Sequence, residues 1–269
     1  MKNMLRKMAC IFGLLSISAL LSSHEYILIA EDYTVEKGDD LYVHLFVAQG
    51  FNIELERKLQ KNITRNFTLE TKDARTDLLK MSSEGQLAVI ETKVDFEGLA
   101  LISMERDYAR IELPAEEFAE YLLMDHLDNV VFDAKKTTGP QREKYARYLK
   151  CLLLSGKDAS GDLYKKVLGY HLEIVLLDNP YEMKAGNTIG AKILFMGKPL
   201  VNKTVTARNR NGDDNTISST AKTDENGIVY FTLEKKGTWF IHLTHMIACS
   251  DKSDCDWESF WASYSFGIE

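Results

Sequence analysis

The sequence predicts a mainly β protein made of two β-sandwich domains, the second immunoglobulin-like, with a short helical insertion in the first. Three observations carry this. Runs of four to ten residues rich in Val, Ile, Leu, Tyr and Phe recur along most of the chain, many of them alternating in polarity. Clusters of Gly, Asp, Asn and Lys punctuate those runs at short intervals, as turns between paired strands require. Clear amphipathic helical spacing is confined to one segment near residues 114–126.

The elements follow in order. Residues 1–23 carry Lys2, Arg6 and Lys7, then the apolar run "CIFGLLSISALL", then Ser22 and Ser23, the order of a secretory signal. The apolar run is shorter than the roughly 20 residues a membrane span needs. "RKMA" before Cys10 lacks the small-residue box of a lipid anchor, so a lipoprotein is rejected. Cleavage after Ser23 makes His24 the first mature residue and leaves no segment for stable membrane insertion.

The expected N-terminal β-rich domain spans 24–176. "HEYILIA", "DLYVHLFVAQGF", "QLAVIETKV", "GLALISMERD" and "ARIEL" read as its strands. In "PAEEFAEYLLMDHLDNV" Pro114 opens the helix, glutamates sit at its positive end, and Phe118, Tyr121 and Leu122 share a face. The stretch holding Tyr145, Tyr148, Leu149 and Leu152 fits helical spacing, whereas Lys150 to Ser155 reads equally as a buried strand. The immunoglobulin-like sandwich is expected over 177–269. Its turns fall at Lys184-Ala185-Gly186, Met196-Gly197-Lys198-Pro199, Asn211-Gly212, Asn226-Gly227 and Lys236-Gly237.

Charge narrows the function. The whole chain has 33 Lys and Arg against 40 Asp and Glu. Losing the signal removes three basic residues and no acidic ones, which takes the formal charge from −7 to −10. That balance argues against nucleic acid as a partner and suits a cation-attracting surface. Cys10 leaves with the signal. Of the three remaining cysteines, Cys249 and Cys255 are the natural disulfide pair in an oxidising compartment, and Cys151 in "YLKCLLL" reads as a core residue.

Several segments together resemble the exported domain-of-unknown-function 4198 family: "HEYILI", "EKYARYLKCLL", "LEIVLLDNPYEMKAGNTIGAKILFMGKPLVNKTV", "TDENGIVYFTLEKKGTWFIHLTHM" and "DWESFWASYSFGI". The closing "DWESFWASYSF" and the middle "LEIV…NP…G…GKPL" are the most specific of these. The resemblance implies a bacterial envelope location, two β-rich domains and a role in transition-metal handling, since some members are described as periplasmic components of cobalt or nickel uptake systems. It also makes His245 the counterpart of the histidine at the end of the Gly-Trp strand, with His242 less typical of the family.

The chemistry-bearing residues fit that expectation. A histidine at a free N-terminus offers a divalent ion both its α-amine and a ring nitrogen, two neutral donors near pH 7 to 8. A second imidazole completes a three-nitrogen set, and His245, then His242, are its candidates. Three residues apart, those two face opposite sides of an unbroken strand, so both reach one ion only if the strand ends or bulges near Thr244. His44 reads as a hydrogen-bonded sheet histidine. Asp251, Asp254, Asp256 and Glu258 read as a solvated acidic loop, and Trp257, Phe260 and Trp261 as core rather than as a glycan platform. No nucleophile elbow or phosphate loop is present.

The expected function is therefore a non-enzymatic, periplasmic protein that captures or delivers nickel, cobalt or copper through His24, His245 and His242. Its partner would be a metal-uptake permease or an outer-membrane receptor. The competing expectation is an envelope scaffold recognising a glycan or a protein.

Overall fold

The computed structural model describes residues 25–211 and 215–269. The chain runs β1 (Glu25–Ala30), β2 (Thr34–Val35), β3 (Asp40–Gln49), β4 (Asn52–Glu56), β5 (Thr64–Glu70), β6 (Arg75–Asp77), α1 (Leu78–Met81), β7 (Ala88–Lys93) and β8 (Gly98–Leu113). Then come α2 (Ala115–Met124), β9 (Gln141–Ser155), β10 (Leu172–Leu176), β11 (Thr188–Phe195), β12 (Lys198–Pro199), β13 (Thr204–Asn211), β14 (Asn215–Lys222), β15 (Ile228–Thr232), β16 (Gly237–Ala248) and β17 (Trp257–Ile268). The protein is mainly β and sandwich-built, as its sequence predicts.

Three sheets form three layers. The central one has nine strands, ordered β14-β13-β16-β17-β9-β8-β5-β6, with β2 also on β9. A first covering sheet holds β1, β3, β4 and β7; a second holds β10, β11, β12 and β15. Alternation along the central strands explains why both covers are needed. On β8, Ala100, Ile102 and Met104 join the core under the first cover, while Leu99 and Leu101 join the core under the second. On β9, Leu149, Cys151 and Leu153 divide from Tyr148, Leu152 and Leu154 in the same way.

Burial on both faces also settles the ambiguous stretch. Tyr145 to Leu152 is strand, not helix, within the 15-residue β9. With apolar side chains needed on both faces, the two-residue period vanishes and a helical spacing emerges by accident. Cys151 is fully buried in that strand, and burial pushes its thiol up to about 12.

The central sheet joins the two halves of the chain, because β17 runs parallel to β9 from Trp257↔Glu143 to Ser265↔Cys151. Strands from both sides of the boundary expected at 176/177 thus share one sheet. The helix starts at Ala115, behind Pro114, and buries Phe118, Tyr121 and Leu122 on one face. That face packs on Trp257 and Trp261, with Phe118 stacked on Trp257 at 5.6 Å and Tyr121 on Trp261 at 6.1 Å. Two of the predicted turn glycines are required by sterics. Gly237 has φ +109°, and a Cβ there would lie 2.4 Å from the Arg210 carbonyl; Gly227 has φ +72°, and its Cβ would lie 2.8 Å from the Ile193 carbonyl. The Asn211-Gly212 turn extends outside the described residues. Among those described, no helix is long and apolar enough to cross a membrane.

Candidate functional site

β16 decides where the two candidate histidines point. It pairs with β17 in unbroken register from Gly237↔Ile268 to Ala248↔Trp257, so the bulge near Thr244 is absent. His242 therefore faces the first cover, packing against Phe240 at 5.3 Å between ring centres. His245 faces the second cover, where its ring meets Phe195 edge-on at 4.5 Å. The strand separates them, and the structure does not bring His242 and His245 to one point.

His242 lies in a small polar site at the start of β1. Its Nε2 is 3.0 Å from Glu25 Oε1 and accepts a hydrogen bond from Arg208 Nε at 3.2 Å. Accepting from Arg208 leaves the ring proton on Nδ1, so the guanidinium and not the imidazole neutralises the carboxylate. Arg208 Nη2 reaches Glu25 Oε1 at 3.4 Å, and the Gly50 N–H donates to Glu25 Oε2 at 2.8 Å. Burial, with the Arg208 charge adding to it, lowers the His242 pKa to about 4 against the pull of Glu25. The ring is neutral at pH 7, the form in which imidazole binds a metal. A cavity of about 70 Å³ adjoins these groups, lined also by Gln49, His126, Thr206 and Thr244.

His24 lies outside the described residues. Glu25, its covalent neighbour, is the residue that reaches His242. Two donors bonded at about 2.1 Å and at right angles, as on a square-planar or octahedral ion, stand roughly 3 Å apart, the separation of His242 Nε2 and Glu25 Oε1. Arg208 is the competing cation.

The other histidines have different partners. His245 is neutral at pH 7, its pKa lowered to about 4 by burial and by the Lys203 charge, and its Nδ1 is buried without a hydrogen-bond partner among the described residues. His44 meets Glu56 through Nδ1 at 2.6 Å and Glu31 through Nε2 at 3.0 Å. Burial opposes its charge, but the two carboxylates prevail and raise its pKa. His171 packs edge-on against Phe260 at 5.8 Å.

Cys249 and Cys255 are joined in a disulfide that closes the β16–β17 connection. Asp254 completes a group of three ligand-type residues there, with atoms within 4.8 Å of one another, but sulfurs bonded to each other are spent as thiolate ligands. The acidic loop is instead matched by basic side chains. Arg142 binds Asp256 at 3.1 Å and the Lys252 and Ser253 carbonyls, and Arg110 binds Asp254 at 2.6 Å. Chain-entropy arguments put a loop this short at about 2 kcal/mol. Reducing the disulfide is expected to lower Tm by roughly 4–8 °C, read by calorimetry with and without dithiothreitol. No change would mean that Arg142 alone fixes the loop.

Trp261 and Phe260 are buried, and Trp257 packs under α2, so these rings offer no platform for a glycan. Sequence reasoning passed over Glu25 and Arg208, the two residues that complete the His242 site. Glu25 stands at the head of an apolar first strand, and nothing local shows that Arg208 and His242 lie opposite it.

A family model described as "Domain of unknown function (DUF4198)" matches residues 21–247. The chain belongs to the DUF4198 family. The span shared with DUF4198 includes Glu25, Arg208, His242 and His245, and ends before the disulfide and β17. "DWESFWASYSF", expected to be among the most family-specific stretches, falls beyond it. Comparison with curated proteins returns no match. Among solved structures, the D0-D1 domain of Intimin is similar at 14% identity, covering 90% of this chain and 97% of that one, with a TM-score of 0.22. A score that low carries nothing over to this DUF4198 member.

Proposed function

We propose that this DUF4198 member is an exported protein that binds nickel, cobalt or copper at the start of β1. In this reading His24, freed by signal cleavage, supplies its α-amine and imidazole, and His242 and Glu25 supply the remaining donors. The observation that supports it is the 3.0 Å approach of the His242 and Glu25 ligand atoms beside a small cavity, on the residue next to His24. Nitrogen-rich donor sets suit all three ions, with copper held most tightly. His245 is outside the proposed set because it lies across the central sheet. A periplasmic location and delivery to an uptake permease or outer-membrane receptor belong to the same proposal, which makes the protein a carrier without catalytic chemistry.

The test begins with mass spectrometry of the exported protein, which reads its first residue. Titration calorimetry with each ion then compares the mature chain with four variants. One extra Ala before His24 and His242→Ala are each expected to weaken binding about tenfold or more, the cost of a lost ligand. His245→Ala leaves it unchanged. Arg208→Ala tightens binding by removing the competing cation. Equal affinities across the series would sink the proposal.

A further inference from the structure

Between the first cover and the central sheet lies a second cluster, unrelated to the histidine site. Arg106 and Arg147 are direct register partners across β8 and β9, on the face toward β1. Arg147 Cζ stands 3.8 Å over the Tyr26 ring centre and 4.4 Å from that of Tyr145; Arg106 Cζ is 5.4 Å from the same Tyr26 ring. Arg57, just past β4, is the third cation. Burial lowers the Arg106 pKa to about 10, and the charges of Arg147 and Arg57 push the same way.

Like charges facing each other across neighbouring strands are destabilising. A buried charged donor without an acceptor costs more still. Arg106 is 3% exposed, and its Nη2 donates to Gln60 Oε1 at 2.8 Å. Arg106 Nη1, Arg147 Nε and Arg57 Nε are all buried without a hydrogen-bond partner among the described residues. Two buried lysines show what the fold supplies elsewhere: Lys150 donates to Glu173, the Lys166 carbonyl and the Ile174 carbonyl, and Lys203 donates to the His126 carbonyl. Neither lysine faces a like charge in register as Arg106 and Arg147 do, and the stacking on Tyr26 and Tyr145 occupies guanidinium faces while leaving N–H edges free. Arg57 and Arg147 are partly exposed, which gives solvent a route to the cluster.

We propose that Arg57, Arg106 and Arg147 form a binding site for a tetrahedral oxyanion, either a free phosphate or sulfate ion or the phosphoryl group of a small ester. Each of the three arginines keeps a buried N–H without an acceptor among the described residues, and a tetrahedral oxyanion carries oxygens enough to serve all three. A carboxylate presents two oxygens and is served by one bidentate arginine.

The test uses the mature chain with EDTA present, so that its outcome is independent of any metal. Inorganic phosphate, glycerol phosphate and acetate are titrated against potassium chloride of matched ionic strength, following the arginine Nε–Hε resonances by NMR. The expected result is saturable shifts at Arg57 and Arg147, with binding weakened about tenfold or more in Arg57→Gln. Tighter binding of the inorganic ion assigns a free anion, and tighter binding of the ester assigns a phosphorylated small molecule. Absence of saturable shifts with both, or acetate binding more tightly than phosphate, overturns the proposal. The resonance titration of the unaltered chain decides even if the variant fails to fold.

Discussion

Lys150→Met is expected to destabilise the protein by about 3–5 kcal/mol, the cost of breaking a buried ion pair from one side. Lys150 lies in β9 with its side chain 2% exposed, and Glu173 in β10 is 1% exposed. They meet at 2.7 Å, pinning the second cover to the central sheet. Every donor is used: Nζ also reaches the Lys166 carbonyl at 2.9 Å and the Ile174 carbonyl at 3.0 Å. The Glu173 carboxylate in turn accepts the N–H groups of Leu168, Gly169 and Tyr170, fixing the turn before β10. Burial lowers the Lys150 pKa despite the attraction of Glu173. A methionine fills the volume but strands a buried carboxylate. Glu173→Met is expected to cost at least as much, because it orphans three backbone donors as well as the ammonium. The double variant recovers only the charge imbalance and stays below wild type. Urea denaturation measures all three; single losses under about 1 kcal/mol would show that packing, not the pair, holds the layer.

This pair marks the limit of what the sequence reveals. Where a strand has one solvated face, its alternation survives and can be read, as in "DLYVHLFVAQ", whose burial alternates along most of β3. Where both faces are covered, as in β9, alternation disappears, and nothing local shows that Lys150 has a buried acidic partner. The parallel contact of β17 with β9 joins segments more than a hundred residues apart and leaves no local signal, so a division at 176/177 was the natural expectation. The helix and the turn glycines were legible because their causes are local: Pro114 at a helix start, positive φ at Gly227 and Gly237.

The candidate site divides along the same line. A spacing of three already implied opposite faces for His242 and His245, and the structure removes the bulge that would have reconciled them. Cys249 and Cys255 were legible because a six-residue separation closes without help from the rest of the fold. Arg208, Arg106 and Arg147 were not, because a charged residue in a strand reads as solvent-facing until the covering sheet is known. Burial of charge between layers is a property of the assembled sheets.

The second large effect is a pH dependence carried by one buried acid. Glu143 on β9 is 2% exposed and accepts from the Tyr121 hydroxyl at 3.0 Å and from the Ser259 hydroxyl, so it ties α2 to β9 and β17. Burial raises its pKa from 4.5 to about 7, outweighing those donors and the Arg147 charge, which favour ionisation. A carboxyl held protonated in the fold binds more protons than it does unfolded between these two values, so stability falls as pH rises through that window. Below about 4.5 both states are protonated and the group contributes no pH dependence; above about 7 both are ionised, and the fold carries a constant penalty of about 3 kcal/mol, from 1.36 kcal/mol per unit. Glu143→Gln keeps an acceptor for Tyr121 and Ser259 but cannot ionise. Its stability relative to wild type is therefore expected to improve by about 2–3 kcal/mol between pH 4.5 and pH 8, whatever its offset at the acid end. Guanidinium denaturation of both proteins at the two pH values measures the difference of differences, which cancels every other titrating group common to the pair. A value near zero would mean that Glu143 ionises in the fold as readily as in water, and that the Tyr121 and Ser259 hydroxyls overcome its burial.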